Sequence, residues 1–433
     1  MRRLKFVWLA VAVAGLALGL AACGGDDDDD GGGAGETQLD LTVGDSVPLS
    51  GDLADFGPPG DKAAKLAVEE INNAISEAGV DHKLTLVTED NETNPQAAVQ
   101  AARKMISDGA SCIAGAWASA DSIPTFESAT SREGVLQISP ASTSDEITGL
   151  DDPDGLMNRT APPDSFQGPT LADFLEQELG GAEGTVNVAA RNDAYGTGLA
   201  DTFSAAWQDK GGTIGEEVIY DPEQPSYDSE AGQIASGNPD AWVIVDFPET
   251  YNKVGPALVR TGNWDPSKTF VTDGLVSGDL AADAGADAVN GLRATAPGSP
   301  DKGSPVDQFD DAYTQFEPKN VDRMTFDAQN FDAVILCYLA AVAAGSTDGT
   351  DMAAEVRDIS GPPGDKYTFL ELPDAIEALQ NGDDIDYNGT SGEIDMDEAG
   401  DATAGVYDLF EFKGGAPEVS GEIPVAEKVE EEE

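Results

Sequence analysis

Basic and metal-ligating side chains are scarce in this chain of 433 residues. It has one histidine, His82, and three cysteines. That scarcity argues against a three-histidine metal site and against a Ser-His-Asp triad built anywhere but at His82, which lies in a polar turn. No nucleophile–base motif stands elsewhere, so an enzyme is not expected, and neither is a cofactor or a metal. Lysine and arginine together number 23 against 82 Asp plus Glu, a formal charge of −59. Such a surface repels nucleic acid and anionic lipid, which removes both from the expected partners. No apolar run beyond residue 23 is long enough to span a bilayer.

Apolar residues are not lacking. They make up 40% of the chain, enough for a core, so the acids read as a solvated shell on a folded protein rather than as a disordered polymer. An acid shell of this density suits high ionic strength, where a short screening length weakens self-repulsion.

The start of the chain is organised differently from the rest. Arg2, Arg3 and Lys5 precede an apolar run from Phe6 to Ala22, the pattern of a secretory signal peptide over residues 1–22. Leu20-Ala21-Ala22-Cys23 resembles the bacterial lipobox, in which the cysteine is lipidated and becomes the first mature residue. Residues 23–39 read as a tether, because five aspartates (Asp26 to Asp30) between glycines can bury nothing. A single acyl chain holds a protein only marginally, so a stable anchor at Cys23 implies more than one.

About 390 residues follow, a length that suggests two domains. Strands alternate with helices over 41–139, and the pattern resumes after the joint Ala161-Pro162-Pro163. The expected fold class is therefore α/β: two doubly wound parallel-sheet lobes with a cleft between them. The first lobe is expected over 40–161 with about 297–360. The second is expected over 162–296 with about 361–424, its acidic stretch 371–397 rich in turns, followed by an acidic tail over 425–433. Cys112 lies in an apolar strand and Cys337 in an apolar helix. A disulfide between them is permitted, but two buried free thiols are the expectation. Asp395 to Asp401 imitates half of a calcium loop, but Ala399 stands at its fifth position and no glutamate at its twelfth, so an acidic turn is expected there.

Five segments, in order along nearly the whole mature chain, resemble the branched-chain amino-acid type of periplasmic binding proteins. They are Val47-Pro48-Leu49-Ser50-Gly51 with Phe56-Gly57; Lys65 to Asn72; Gln137 to Thr143; Asn192 to Gly198; and Thr272-Asp273-Gly274. The resemblance implies a type I fold with a hinge of three crossovers and a ligand trapped by closure. It implies that Ser119 (or its neighbour Ala120), Ala141 and Thr143 bind a ligand carboxylate and part of its ammonium, and that Asp273 receives the α-amino group. The residues agree by themselves: Ala141, Thr143 and Asp273 lie just past strand carboxyl ends, where open α/β sheets place ligands. Phe56, Tyr195, Phe247 and Phe326 are the candidate apolar walls. Phe247 stands where the family often carries tyrosine, and for Phe247 and Phe326 a place in a lobe core is the alternative.

The expected protein is thus an extracytoplasmic, lipid-anchored, monomeric solute-binding protein. It captures an amino acid, branched-chain favoured, and delivers it to the membrane subunits of an ABC permease. The same fold binding an amide, a urea or a small aromatic acid is the alternative, with a ligand-sensing module after it. Lipidation has a direct consequence: Cys23→Ser is expected to release the protein from the membrane fraction or leave it as an unprocessed precursor. Cell fractionation with the mass of the mature N-terminus checks this, and a mature start other than residue 23 would contradict it.

Overall fold

The computed structural model describes residues 38–299 and 305–426; the expected signal peptide, Cys23, most of the tether and residues 427–433 of the expected tail lie outside them. The first sheet is parallel throughout. It contains β1 (Leu39–Val47), β2 (His82–Asp90), β3 (Cys112–Ala114), β4 (Leu136–Ser139) and β5 (Met157–Arg159), in the order β2-β1-β3-β4-β5. The second sheet has a parallel set made of β6 (Thr185–Arg191), β7 (Thr213–Tyr220), β8 (Ala241–Val245), β9 (Thr269–Val271) and β10 (Arg293–Pro297).

Local sequence explains the elements. The helix Gly57–Ala78 carries proline in its first turn, where no intrahelical N–H is lost. It buries Ala63, Ala64, Leu66, Ala67, Ile71, Ala74 and Ile75, a stripe at helical spacing, against the first sheet. The helix Asp327–Ala344 is apolar all round from Ala333 onward and buried over almost its whole length, so it forms the centre of the first core rather than a surface layer.

Two expectations are corrected here. The stretch 371–397 is not merely turns. The helix Leu372–Asn381 buries Leu372, Ala375 and Ile376, a spacing of three and four, and leaves its acids outside. With β11 (Asp365–Tyr367), β12 (Ile385–Gly389) and β13 (Gly392–Glu393) it packs into the first core, so residues 361 to about 394 belong to the first lobe and not to the second. Only then does the chain cross back. There β14 (Ala404–Lys413) and β15 (Ala416–Ala426) add an antiparallel edge beside β10, giving the order β15-β14-β10-β9-β8-β6-β7.

The second correction concerns the thiols. Cys112 and Cys337 form a disulfide, their Cα atoms 5.9 Å apart across 225 residues of sequence. The apolar character that made each look like core brought β3 and the central helix into contact and the two sulfurs together.

The crossings between lobes are tied by a buried ion pair. Arg159, at the end of β5, donates from Nε to Asp401 Oδ1 at 2.6 Å, from Nη1 to the carbonyls of Ser142 and Ser144, and from Nη2 to Thr148 Oγ1. Arg159 is fully buried and Asp401 nearly so. A buried pair adds little relative to an apolar pair, but breaking it strands a charge, at a cost of about 3–5 kcal/mol. Asp401→Asn is accordingly expected to lower unfolding stability by about that amount. Urea denaturation checks this, and a loss near zero would show that Arg159 finds another acceptor.

Candidate functional site

Five loops leave the carboxyl ends of parallel strands and meet between the sheets. After β3 come Trp117, Ala118 and Ser119; after β4, Ala141; after β6, Tyr195; after β8, Phe247; after β9, Asp273 and Gly274. With Leu53, Phe56 and Phe326 these residues enclose a narrow cavity of about 10 Å³, room for about one water. The wall is drawn from both lobes, and every residue in it is at least nine-tenths buried, apart from the small Gly274, which is buried as well. The lobes are therefore shut on the cleft. Ser119, Ala141, Phe56, Tyr195, Phe247, Phe326 and Asp273 all line it. Ala120 lines an outer groove instead. Thr143 is buried behind the lining, facing Asp164.

The apolar walls are tightly arranged. Tyr195 and Phe247 stack with centroids 4.9 Å apart and planes 14° from parallel. Trp117 and Phe326 meet edge to face at 6.4 Å. Phe326 holds a left-handed backbone, φ +73°, an uncommon and costly state for an aromatic residue, at the start of the central helix. Two glycines make room. A Cβ at Gly60 would fall 2.3 Å from Trp117 Cζ2, and one at Gly274 would fall 2.7 Å from the Asp246 carbonyl and 2.8 Å from Phe247 Cδ1.

The polar end is built on Asp273. Its Oδ1 accepts from Gln167 Nε2 at 2.8 Å and from the Tyr195 hydroxyl at 3.0 Å. The same hydroxyl accepts from the Gly274 N–H at 3.2 Å and shares a hydrogen bond with Thr272 Oγ1 at 2.7 Å. Burial pushes the Asp273 carboxyl up to about 6, and the hydrogen bonds from Gln167 and Tyr195 hold it from going higher. Around neutral pH it is an anion with few partners, lining a closed cavity. Asp164 lies behind it, fully buried. Burial pushes its pKa well up, the Thr143 hydroxyl tempers that, and Asp273 adds repulsion. Neither oxygen of Asp164 reaches hydrogen-bond geometry with a partner, and the Thr143 hydroxyl does not either. Ser119 Oγ accepts from the Ser144 N–H at 3.2 Å, which ties the loop after β3 to the loop after β4.

Residue-type reasoning passed over Trp117, Leu53, Gln167 and Asp164. Trp117 had a usable signal, since it follows the end of a buried strand, as the recognised residues do. Gln167 and Asp164 had none, because lone polar residues in the first turn of a helix are ordinary caps until the fold brings the end of β9, the strand β10 and the loop after β4 against them.

The sequence profile described as "Periplasmic binding protein" matches residues 40–415. The chain belongs to that family, in its type I form. A relative in Brucella melitensis biotype 1, "Leu/Ile/Val-binding protein homolog 3", is 28% identical over 380 residues, 87% of this chain and 92% of its own. The crystal structure of a leucine binding protein from Thermotoga maritima superposes with a TM-score of 0.70 at 23% identity, covering 88% of this chain and 98% of that one. A solute binding protein from R. palustris, crystallised with benzoate, gives a TM-score of 0.69 at 19% identity over 90% and 98%. At these identities the solved structures share the fold of this chain, and the β-sheet lobes above are that fold. The periplasmic binding proteins are solute-binding proteins, and the closed cleft is the candidate site of this member.

Tyr195→Phe isolates one hydroxyl of the cleft. It leaves the buried Gly274 N–H without its acceptor, a loss of about 1–3 kcal/mol. It also removes a bond that lowers the Asp273 pKa, so that carboxyl is expected to titrate higher than in the wild type. Chemical denaturation and a carboxyl-carbon NMR titration of Asp273 measure the two effects. An unmoved titration would show that Tyr195 donates to Thr272 and not to Asp273.

Proposed function

We propose that this periplasmic binding protein is a lipid-anchored carrier of a zwitterionic amino acid, branched-chain side chains favoured, which it passes to an ABC permease. The observation that carries the reading is Asp273: a lone desolvated carboxylate lining a small, otherwise apolar and aromatic cavity. A ligand ammonium there gains a charge-assisted bond to a buried carboxylate. Hydroxyl and backbone groups of Ser119 and Ala141 then take the carboxylate, and the walls of Leu53, Phe56, Trp117, Phe247 and Phe326 move apart to admit a small apolar side chain. The relatives named for leucine, isoleucine and valine support the same ligand class. The Leu-Ala-Ala-Cys box supports anchoring at Cys23 outside the cytoplasm.

A second reading has its own observation. Five aromatic rings line the cavity, Tyr195 among them, and the benzoate-bound neighbour shares the fold. A small aromatic acid has no ammonium, however, and would bring a second anion toward Asp273.

Calorimetry with L-leucine and with benzoate separates the two. For the amino acid, Asp273→Asn is expected to cost about 3 kcal/mol of binding, at the lower end of the range for breaking a buried pair. Affinity should also fall as pH drops below about 6, because the ammonium requires the ionised carboxyl and acid protonates it. Wild-type affinity in Asp273→Asn, or benzoate binding that strengthens in acid, would favour the aromatic acid instead.

A further inference from the structure

One guanidinium holds both sides of the cleft. Arg191, at the end of β6 in the second lobe, is almost completely buried. Its Nε donates to Asp193 Oδ2 at 2.5 Å and its Nη1 lies 3.9 Å from Asp246 Oδ1, both in its own lobe. Its Nη2 donates across the cleft to Asp52 Oδ2 of the first lobe at 3.0 Å. Burial alone would lower its pKa, but Asp193, Asp246 and Asp52 carry it above its ordinary value, so it is a permanent cation. Its flat face lies 3.8 Å from the centre of the Phe247 ring, which is a cavity wall.

Asp52 belongs to the tight double turn over residues 51–56, in which Gly51 and Leu53 carbonyls accept from Ala54 and Phe56 N–H groups. The turn is fixed to its own lobe, since the Leu53 N–H donates to Thr93 Oγ1 at 3.0 Å. Its side chains divide by charge. Leu53 and Phe56 face the cavity, whereas Asp52 and Asp55 reach the second lobe, where Asp52 also accepts from Thr250 Oγ1 at 3.4 Å and Asp55 from Ser277 Oγ at 2.6 Å. The side of the turn that closes the cleft and the side that touches the solute are therefore one rigid piece.

We propose that Arg191 is a positioning residue that sets how long the solute stays bound: by pairing with Asp52 while lying on Phe247, it fastens the Leu53–Phe56 wall of one lobe to the Phe247 wall of the other. It does not touch the solute. The pairing exists only when the lobes are shut, so its loss acts on dissociation. Arrival of the solute at the open cleft does not require it. In a chain this acidic a cation placed on the opposite lobe has a second effect: it draws the acid-bearing turn inward against the general repulsion between carboxylates. The latch does not rest on the solute being an amino acid.

The test uses the mature chain with L-leucine as probe and follows tryptophan fluorescence in stopped flow, Trp117 being in the cavity wall. Asp52→Asn leaves the buried side of the Arg191 cluster intact and is expected to dissociate L-leucine about tenfold faster, the equivalent of ~1.4 kcal/mol, with association changed by less than about threefold. Asp52→Glu should restore slow dissociation, which a merely structural role for the turn would not allow. Wild-type dissociation should quicken from low to molar salt and that of Asp52→Asn should not. Asp40→Asn, which removes the same charge from the exposed pair with Lys83, is the control and should behave as wild type. Dissociation in Asp52→Asn within twofold of wild type, with the same salt response, overturns the proposal. A wild-type chain that ignores L-leucine would overturn the amino-acid reading, not the latch. In that case small-angle scattering of the ligand-free chain decides: Asp52→Asn must be more expanded than wild type at low salt and equal to it at molar salt, and equal radii at both would overturn the latch.

Discussion

Taking carboxylates out of water is the constraint on which this structure depends. The chain is crowded with acids, and most keep their hydration. Several of those that do not are held by specific arrangements, whereas the Asp164 carboxyl has no hydrogen-bond partner at all. Asp332, on the central helix, is ringed by donors from Tyr387, Thr390 and Ser391, which pins the small β12–β13 turn to the first core. Asp246 accepts from the Tyr220 hydroxyl and the Phe247 N–H, yet burial still raises it to about 7. Asp401 is matched to Arg159 at the crossings. Asp273 is the instructive case, because its donors stabilise the anion only in part and the remainder of its demand is directed at the cavity.

This gives closure a physical meaning. When the lobes part, water can reach the cleft and the carboxylate there is satisfied. When they shut, Asp273 loses that water and needs a donor in its place. On the function proposed above an ammonium-bearing solute supplies it, and the free energy of binding goes into holding the two lobes together. The apolar residues contribute through area removed from water, and they contribute only in the shut form, since the core cluster around the cavity takes residues from both lobes. The hinge must bend without exposing its own charges, which is why a fully buried arginine there is bonded to carbonyls and a carboxylate on neighbouring segments of chain.

Much of this was legible in the residues. Ala241–Val245 could only be a buried strand, and Asp327–Ala344 only a buried helix. The turn at Thr272-Asp273-Gly274 announced an acid at a strand end. Periodicity failed where the local signal was weak. β5 is three residues long, β11 and β13 no longer, and the acids around Leu372–Asn381 masked a short apolar stripe. The expectation of free thiols failed for a different reason: an apolar strand and an apolar helix each show that a cysteine is buried, but not which face of the core it meets.

The sequence by itself determined the alternation of strands and helices, the acidic shell, the family segments and the identity of the acid at the strand end, because each is a property of neighbouring residues. Only the tertiary structure decided that Gln167 and Tyr195 both serve Asp273, that Cys112 meets Cys337, that residues 361 to about 394 stay with the first lobe, and that Arg191 reaches across to Asp52. Each of these joins residues separated by tens to hundreds of positions, and their proximity follows from how two sheets are packed and shut, which no local pattern of side chains encodes.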